Sequence, residues 1–355
     1  MSQNNAQQSQ DAPLVQTTPM ERGGTKIYMW GKLSFPYHDI TDLTAIELQE
    51  PNYHRIIKVV STSDDNYALL TNNHIYSWRY PNPPGVIFIT RDFGPIKNIS
   101  TTDKALYTLF DNNIIWIYTD HWYQFTGITP PKTINFINPL FDTSVLAVCN
   151  DGSLYLMSQK YILKLPFEHV VDIATFIHTV VITVADGSVF TFDIWGGHFG
   201  DSYYVRKDDI KAIVGLPPIK KVFTNHTAFY GIDDIGHLWS WGTNKDGYLG
   251  TGADLDTEHP PTEISFPNGG RVKDLSITTY GQQIMALLDD HKTLFTWGKN
   301  LFRTASVEPA YFNTPTAVFF PPTLPGQDSQ IIGSIFAGSH YFGAVTTMSY
   351  LTPWL

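Results

Sequence analysis

The sequence predicts an all-β fold, a seven-bladed β-propeller closed by pairing of its N-terminal and C-terminal strands. Three observations predict it: an aromatic strand signature that returns seven times, two further short strands after each copy, and tight-turn residues before the next copy. The signature reads Ile27-Tyr28-Met29-Trp30, Ile75-Tyr76-Ser77-Trp78, Ile115-Trp116-Ile117-Tyr118 and Leu154-Tyr155-Leu156-Met157 in the first half. It continues as Val189-Phe190-Thr191-Phe192, Leu238-Trp239-Ser240-Trp241 and Leu294-Phe295-Thr296-Trp297. The fourth positions are spaced by 48, 40, 39, 35, 49 and 56 residues. A unit recurring at such a period cannot bury its own apolar face, so neighbours stack, and seven of them close into a ring.

Each signature is followed by a variable loop and then by a strand in which apolar residues flank polar ones. These strands begin at Ile56, Ile96, Ile134, Val170, Ile219, Val272 and Ile331. The pattern suits a short strand with one face on a neighbouring blade. A third strand follows: Tyr67–Leu70, Ala105–Phe110, Val145–Cys149, Val180–Ala185, Ala228–Ile232, Ile284–Leu288 and Tyr341–Thr346. Asn72-Asn73, Asn112-Asn113, Asp151-Gly152, Asp186-Gly187, Ile235-Gly236 and the stretch from Asp289 to Lys292 then turn the chain into the next signature. Such residues tolerate the positive φ of tight hairpins. Each third strand therefore pairs with the aromatic strand of the following repeat. The first aromatic strand and the last third strand lack such a partner, and pairing them removes two bare edges.

The repeats run over about 26–73, 74–113, 114–152, 153–187, 188–236, 237–292 and 293–349, within a propeller domain of 25–355. Residues 1–24, rich in Gln, Asn, Ser and Thr, read as a disordered polar tail without the basic start or apolar core of a signal peptide. Charged residues make up 16% of the chain, below the roughly 25% of an average soluble protein, and aromatics 14%. A formal charge of −10 argues against nucleic acid as a partner, since that binding rests on Lys and Arg neutralising phosphates. No apolar run approaches the ~18–20 residues of a membrane span. The single cysteine, Cys149, excludes an internal disulfide and fits a reducing, cytoplasmic setting, with the nucleus as the alternative.

The stretch His237-Leu238-Trp239-Ser240-Trp241-Gly242-Thr243-Asn244-Lys245-Asp246-Gly247-Tyr248-Leu249-Gly250-Thr251-Gly252 resembles the regulator of chromosome condensation repeat family, a group of seven-bladed propellers. It matches that family's aromatic strand, Trp-Gly-x-Asn and Gly-x-Leu-Gly-x-Gly pattern. Thr314-Pro315-Thr316-Ala317-Val318 and Ala337-Gly338-Ser339-His340 are similar to two further family segments. Elsewhere the resemblance is periodic, over about residues 25–349. The second repeat has Trp78-Arg79 where the family has Trp-Gly, and repeats three and four lack the Gly-rich loop. Asp65, Gln283 and Tyr341 stand where the family often has His. The founding members act on the Ran GTPase through a protruding wedge in an early blade, and carry a basic tail for chromatin. Neither feature has an obvious counterpart here.

Most motifs have structural readings. The glycines from Gly242 to Gly252 lie between strands and carry no Gly-Lys-Ser/Thr, so they read as a turn rather than a phosphate cradle. Twelve histidines show no ligand spacing, and one cysteine cannot support the usual structural zinc site. Asp120-His121 and Asp290-His291 read as turn or capping residues, and Cys149 as a buried thiol. No catalytic, cofactor-binding or metal residue is assigned.

The candidate functional residues lie in loops richer in aromatics and arginine than the fold requires: Tyr203, Tyr204 and Arg206, then Asp246 and Tyr248, then Phe302 and Arg303. Such residues resemble interface anchors. The expectation is a protein-interaction propeller, a scaffold or regulatory subunit without covalent chemistry. The resemblance implies a small GTPase as partner and, as an alternative, guanine-nucleotide exchange on a Ran-like GTPase. A structural subunit of a large assembly is the other alternative.

Overall fold

The computed structural model describes residues 26–33, 38–47, 56–79, 85–88, 94–126, 130–140, 144–196, 203–225, 227–278, 280–300, 310–318, 330–339 and 341–348. The tail expected at 1–24 and the closing segment 350–355 lie outside them. Seven four-stranded antiparallel sheets form the blades of a propeller. The closing blade takes β1 (Lys26–Leu33) and β2 (His38–Glu47) from the start of the chain. It is completed by β29 (Gln330–Ala337) and β30 (Tyr341–Met348) from the end. Ile27 pairs with Val345 and Met29 with Gly343, so the ring closes as the sequence predicts.

Blade I contains β3 (Ile56–Ser61), β4 (Asn66–Leu70), β5 (Ile75–Trp78) and β6 (Gly85–Phe88). Blade II contains β7 (Ile96–Thr101), β8 (Leu106–Phe110), β9 (Ile115–Tyr118) and β10 (Trp122–Gln124). Blade III contains β11 (Ile134–Pro139), β12 (Val145–Cys149), β13 (Leu154–Met157) and β14 (Ile162–Lys164). Blade IV contains β15 (Val170–Phe176), β16 (Thr179–Val184), β17 (Val189–Asp193) and β20 (Lys211–Ile213), with a separate ribbon of β18 (Trp195–Gly196) and β19 (Tyr203–Tyr204). Blade V contains β21 (Ile219–Thr224), β22 (Ala228–Asp233), β23 (Leu238–Thr243) and β24 (Glu258–Glu263). Blade VI contains β25 (Val272–Ile277), β26 (Gln283–Leu288), β27 (Leu294–Lys299) and β28 (Tyr311–Val318). Helix is confined, among the described residues, to short 3-10 turns at Lys207–Asp209, Lys245–Gly247 and Pro267–Gly269.

The expected hairpins form in the six blades I to VI, from β4–β5 to β26–β27. Their turns place Asn73, Asn113, Gly152, Gly187, Gly236 and His291 at positive φ. The middle strands are buried on both faces, as in Val145–Cys149, because each blade has a neighbour on either side. Cys149 is 1% exposed, and burial pushes its thiol up. The sequence pattern missed the fourth, outermost strand of each blade. These strands run through the variable loops; β24, Glu-His-Pro-Pro-Thr-Glu, is mostly exposed and carries two prolines that only an edge tolerates.

The innermost strands meet around a central channel, and polar contacts join each to the next. Thr101 Oγ1 donates to the Ser61 carbonyl, and Lys97 Nζ to that of Ile134. Thr175 Oγ1 donates to Asn138 Oδ1, and the Val222 N–H to Asp172. Lys221 lies 3.6 Å from Asp274, Lys273 Nζ reaches the Gly333 carbonyl, and Ser339 Oγ that of Ser63. All seven inner pairs shift register at the same place, between Ile56 and Lys58 and its equivalents. Each such bulge adds twist and re-aims a side chain. The residues after the bulge include Lys58, Asp172, Lys221 and Asp274, which sense one another across the channel.

Candidate functional site

The two faces of the ring are built differently. The hairpin turns lie on one. The other carries the connections that leave the aromatic strands, as pairing shows: Thr179 opposes Asp193, and the Ile194 N–H reaches the His178 carbonyl beside the inner turn. The β18–β19 ribbon and the Gly-rich loop both depart on this loop face.

The ribbon is an excursion that blade IV does not need to close its sheet, since β20 completes it. Trp195 pairs with Tyr204 and Gly196 with Tyr203. The Trp195 ring is 43% exposed, yet held at two points. Its Nε1–H donates to Asp209 at 3.0 Å, and the Arg206 guanidinium lies 5.8 Å from the ring centre. The 3-10 turn supports this by an Asp209 N–H to Arg206 carbonyl bond of 3.0 Å. A cation over an indole face is favoured by the ring quadrupole. Val205 and Ile210 of the excursion, with Leu163, Phe167 and Phe190, line a mostly apolar cavity of about 660 Å³.

The Gly-rich loop serves the fold. Asn244 is fully buried; its amide donates to the Ala253 carbonyl at 2.8 Å and its oxygen accepts from the Leu249 N–H. The Tyr248 carbonyl accepts from both Tyr230 Oη and Trp297 Nε1, at 2.6 and 2.8 Å. Gly250 has φ +69, and a Cβ there would meet the Trp297 indole at 2.9 Å. These glycines thus turn the chain and let it pack closely between strands, as the sequence reading expects.

Of the sequence candidates, Tyr203 and Tyr204 form β19, paired through the backbone with Gly196 and Trp195, and Arg206 lies over the Trp195 ring. Asp246 is half-buried at φ +51. Tyr248 is 7% exposed, and burial, helped by Asp246, pushes its hydroxyl up to about 12; its side chain is core, not an exposed anchor. Phe302 and Arg303 lie outside the described residues. Asp290 caps its own turn, accepting from the Lys292 and Thr293 N–H groups. Among the described residues no three His, Cys, Asp or Glu side chains converge as a metal site requires. Sequence reasoning did not single out Trp195 within its loop, nor the channel residues. The extra aromatic beyond the fourth signature position was the available signal for the first.

Residues 236–279 match the regulator of chromosome condensation (RCC1) repeat. No curated protein matches the chain in sequence. The structure is similar to that of Prp20p from Saccharomyces cerevisiae, reported with its binding properties to Gsp1p and histones, at 12% identity and a TM-score of 0.71, with 93% of each chain covered. Yeast RCC1 (Prp20) bound to Kap60 aligns at 12% identity and a TM-score of 0.71, over 93% of this chain and 90% of that one. Human WBSCR16 aligns at 13% identity and a TM-score of 0.68, over 92% of this chain and 100% of that one. One repeat is thus matched in sequence and the whole ring in shape, so the chain is similar to RCC1 propellers and carries one recognisable RCC1 repeat.

Proposed function

We propose that this chain is a protein-interaction propeller that docks a partner on its loop face, with the β18–β19 ribbon as anchor. One observation carries the reading: Trp195 is exposed yet pinned by Asp209 and Arg206, on an excursion the sheet does not require. An aromatic ordered in advance loses little freedom on binding, which is what separates anchors from ordinary exposed side chains. The likeness to Prp20p, reported with its binding to Gsp1p, supports a small GTPase as partner. Asp254, Asp256 and Glu258 are exposed on the same face and would speed encounter with a basic partner surface.

The test is capture of partners by the intact protein beside its Trp195→Ala and Arg206→Ala variants. A stoichiometric partner should be retained by the parent and weakened by about 1 kcal/mol or more with Trp195→Ala. Equal capture by all three proteins would remove the ribbon as anchor. Exchange is scored separately, by release of a fluorescent GDP analogue from Ran and a panel of small GTPases. Acceleration that falls with salt supports a regulatory role, and none at micromolar protein leaves binding alone.

A further inference from the structure

The seven inner strands end together on the loop face and leave a funnel of about 340 Å³ at the mouth of the channel. Its lining includes six hydroxyl-bearing residues from five blades: Ser61, Thr101, Thr102, Thr175, Thr224 and Thr278. Three of those hydroxyls have spent their proton on the protein. Ser61 Oγ donates to Asn66 Oδ1 at 2.7 Å and Thr101 Oγ1 to the Ser61 carbonyl at 2.8 Å. Thr175 Oγ1 donates to Asn138 Oδ1 at 2.6 Å. A hydroxyl owns one proton and two lone pairs, so each of these is left as an acceptor. Thr278 instead accepts from the Gln282 and Gln283 N–H groups, and Thr102 from those of Lys104 and Ala105.

Asp103 adds a carboxylate, and no Lys, Arg or His joins it in the lining among the described residues. Phe176 lies in the wall, while Ile177 and Tyr280 stand on the rim, 45% and 53% exposed. The funnel thus pairs an acceptor-rich throat and one negative charge with an apolar, aromatic lip.

We propose that this funnel takes the guanidinium of an arginine side chain presented by a protein partner. A guanidinium carries five N–H donors and no acceptor, stacks on aromatic rings and is weakly hydrated, whereas a lysine ammonium is a strongly hydrated point charge. Its donors meet the spent hydroxyls and the Asp103 carboxylate, which form the stronger, charge-assisted bonds with it. Its stem lies along Ile177 and Tyr280. The inference rests on the reading of the loop face as the partner face, and names what that partner inserts at the centre.

The test uses the full chain with labelled isoleucine and threonine methyls and, as probe, N-acetyl-arginine methylamide. The neutral isostere N-acetyl-citrulline methylamide is the control. Saturable shifts at Ile177, Ile277 and Thr101 are expected with the arginine probe, and about tenfold weaker binding with citrulline, or 1.4 kcal/mol. Asp103→Asn should erase that preference; no hydrogen bond of the described residues uses its carboxylate, and an unchanged melting temperature confirms the fold. Equal affinity for both probes, absence of shifts, or an unchanged preference in Asp103→Asn overturns the proposal. Trp195→Ala should leave probe binding unchanged. A partner released by Trp195→Ala from a protein that ignores the arginine probe would uphold the interaction reading and reject this one.

Discussion

The junction between blades V and VI and that between blades III and IV fill the same space in different ways. At the first, Trp297 is fully buried, donates to the Tyr248 carbonyl and presses on Gly250, while Tyr230 donates to the same carbonyl. At the second there is no Gly-rich loop, and Phe167 stacks on Phe192 and tilts against Phe190, at 5.1 and 5.6 Å between ring centres. One junction is directional and the other is a volume to be filled. Hydrogen bonds and a positive φ tie residue types to positions, whereas apolar packing accepts many residues of similar size. Tyr230 and Trp297 apart, the directional junction draws its Tyr248 carbonyl and Gly250 from the stretch that matches the RCC1 repeat, residues 236–279.

The largest expected effect breaks the directional junction. Trp297→Ala should cost about 3–5 kcal/mol in chemical unfolding, the usual range for truncating a buried aromatic. A loss under 1 kcal/mol would show that the junction is not cooperative with the ring. Gly250→Ala should cost about 1–3 kcal/mol, since φ +69 and the indole both oppose a Cβ. Phe167→Leu at the other junction should cost less than about 1.5 kcal/mol, because the stack tolerates reshaping. If Phe167→Leu proved as costly as Gly250→Ala, the contrast between the junctions would fail.

The smallest effect probes the polar seam that both junctions share along the channel. Burial pushes the Asp172 carboxyl up to about 6 despite the Val222 N–H bond and the ammonium groups of Lys221 and Lys58. Between its ordinary value of 3.8 and about 6, the folded chain holds a proton that the unfolded chain has lost, so the parent loses stability as pH rises through that window. Asp172→Asn cannot ionise and keeps an acceptor for Val222. Its stability relative to the parent should climb from pH 4 to pH 6 and level off above pH 7, as read from urea midpoints. Asp274, also pushed up by burial, faces the same lysines and is unchanged in both proteins. A flat difference across the range would place Asp172 in an environment as wet as the surface.

The blades were legible because aromatic strand, turn residues and period repeat together, and no other arrangement buries seven such strands. The outer strands were not, since an exposed edge such as β24 has little reason to alternate or to avoid proline. The ribbon was legible as surplus aromatics, though not its internal order: Trp195, Arg206 and Asp209 are brought together by a turn that local pattern does not announce.

Repeat number, hairpin pairing and closure by the chain ends follow from the amino-acid order alone, because they depend on local turn chemistry and on burial of periodic apolar faces. The channel and its mouth follow only from assembly. Ser61, Thr101, Asp103, Thr175 and Tyr280 are scattered over more than two hundred positions, and each is unremarkable beside its own neighbours. They meet because seven inner strands end at the same height around one axis, and their acceptor character comes from bonds made to adjoining strands and blades. Which lone pairs remain for a ligand is a property of the closed ring, since each depends on partners the local sequence does not contain.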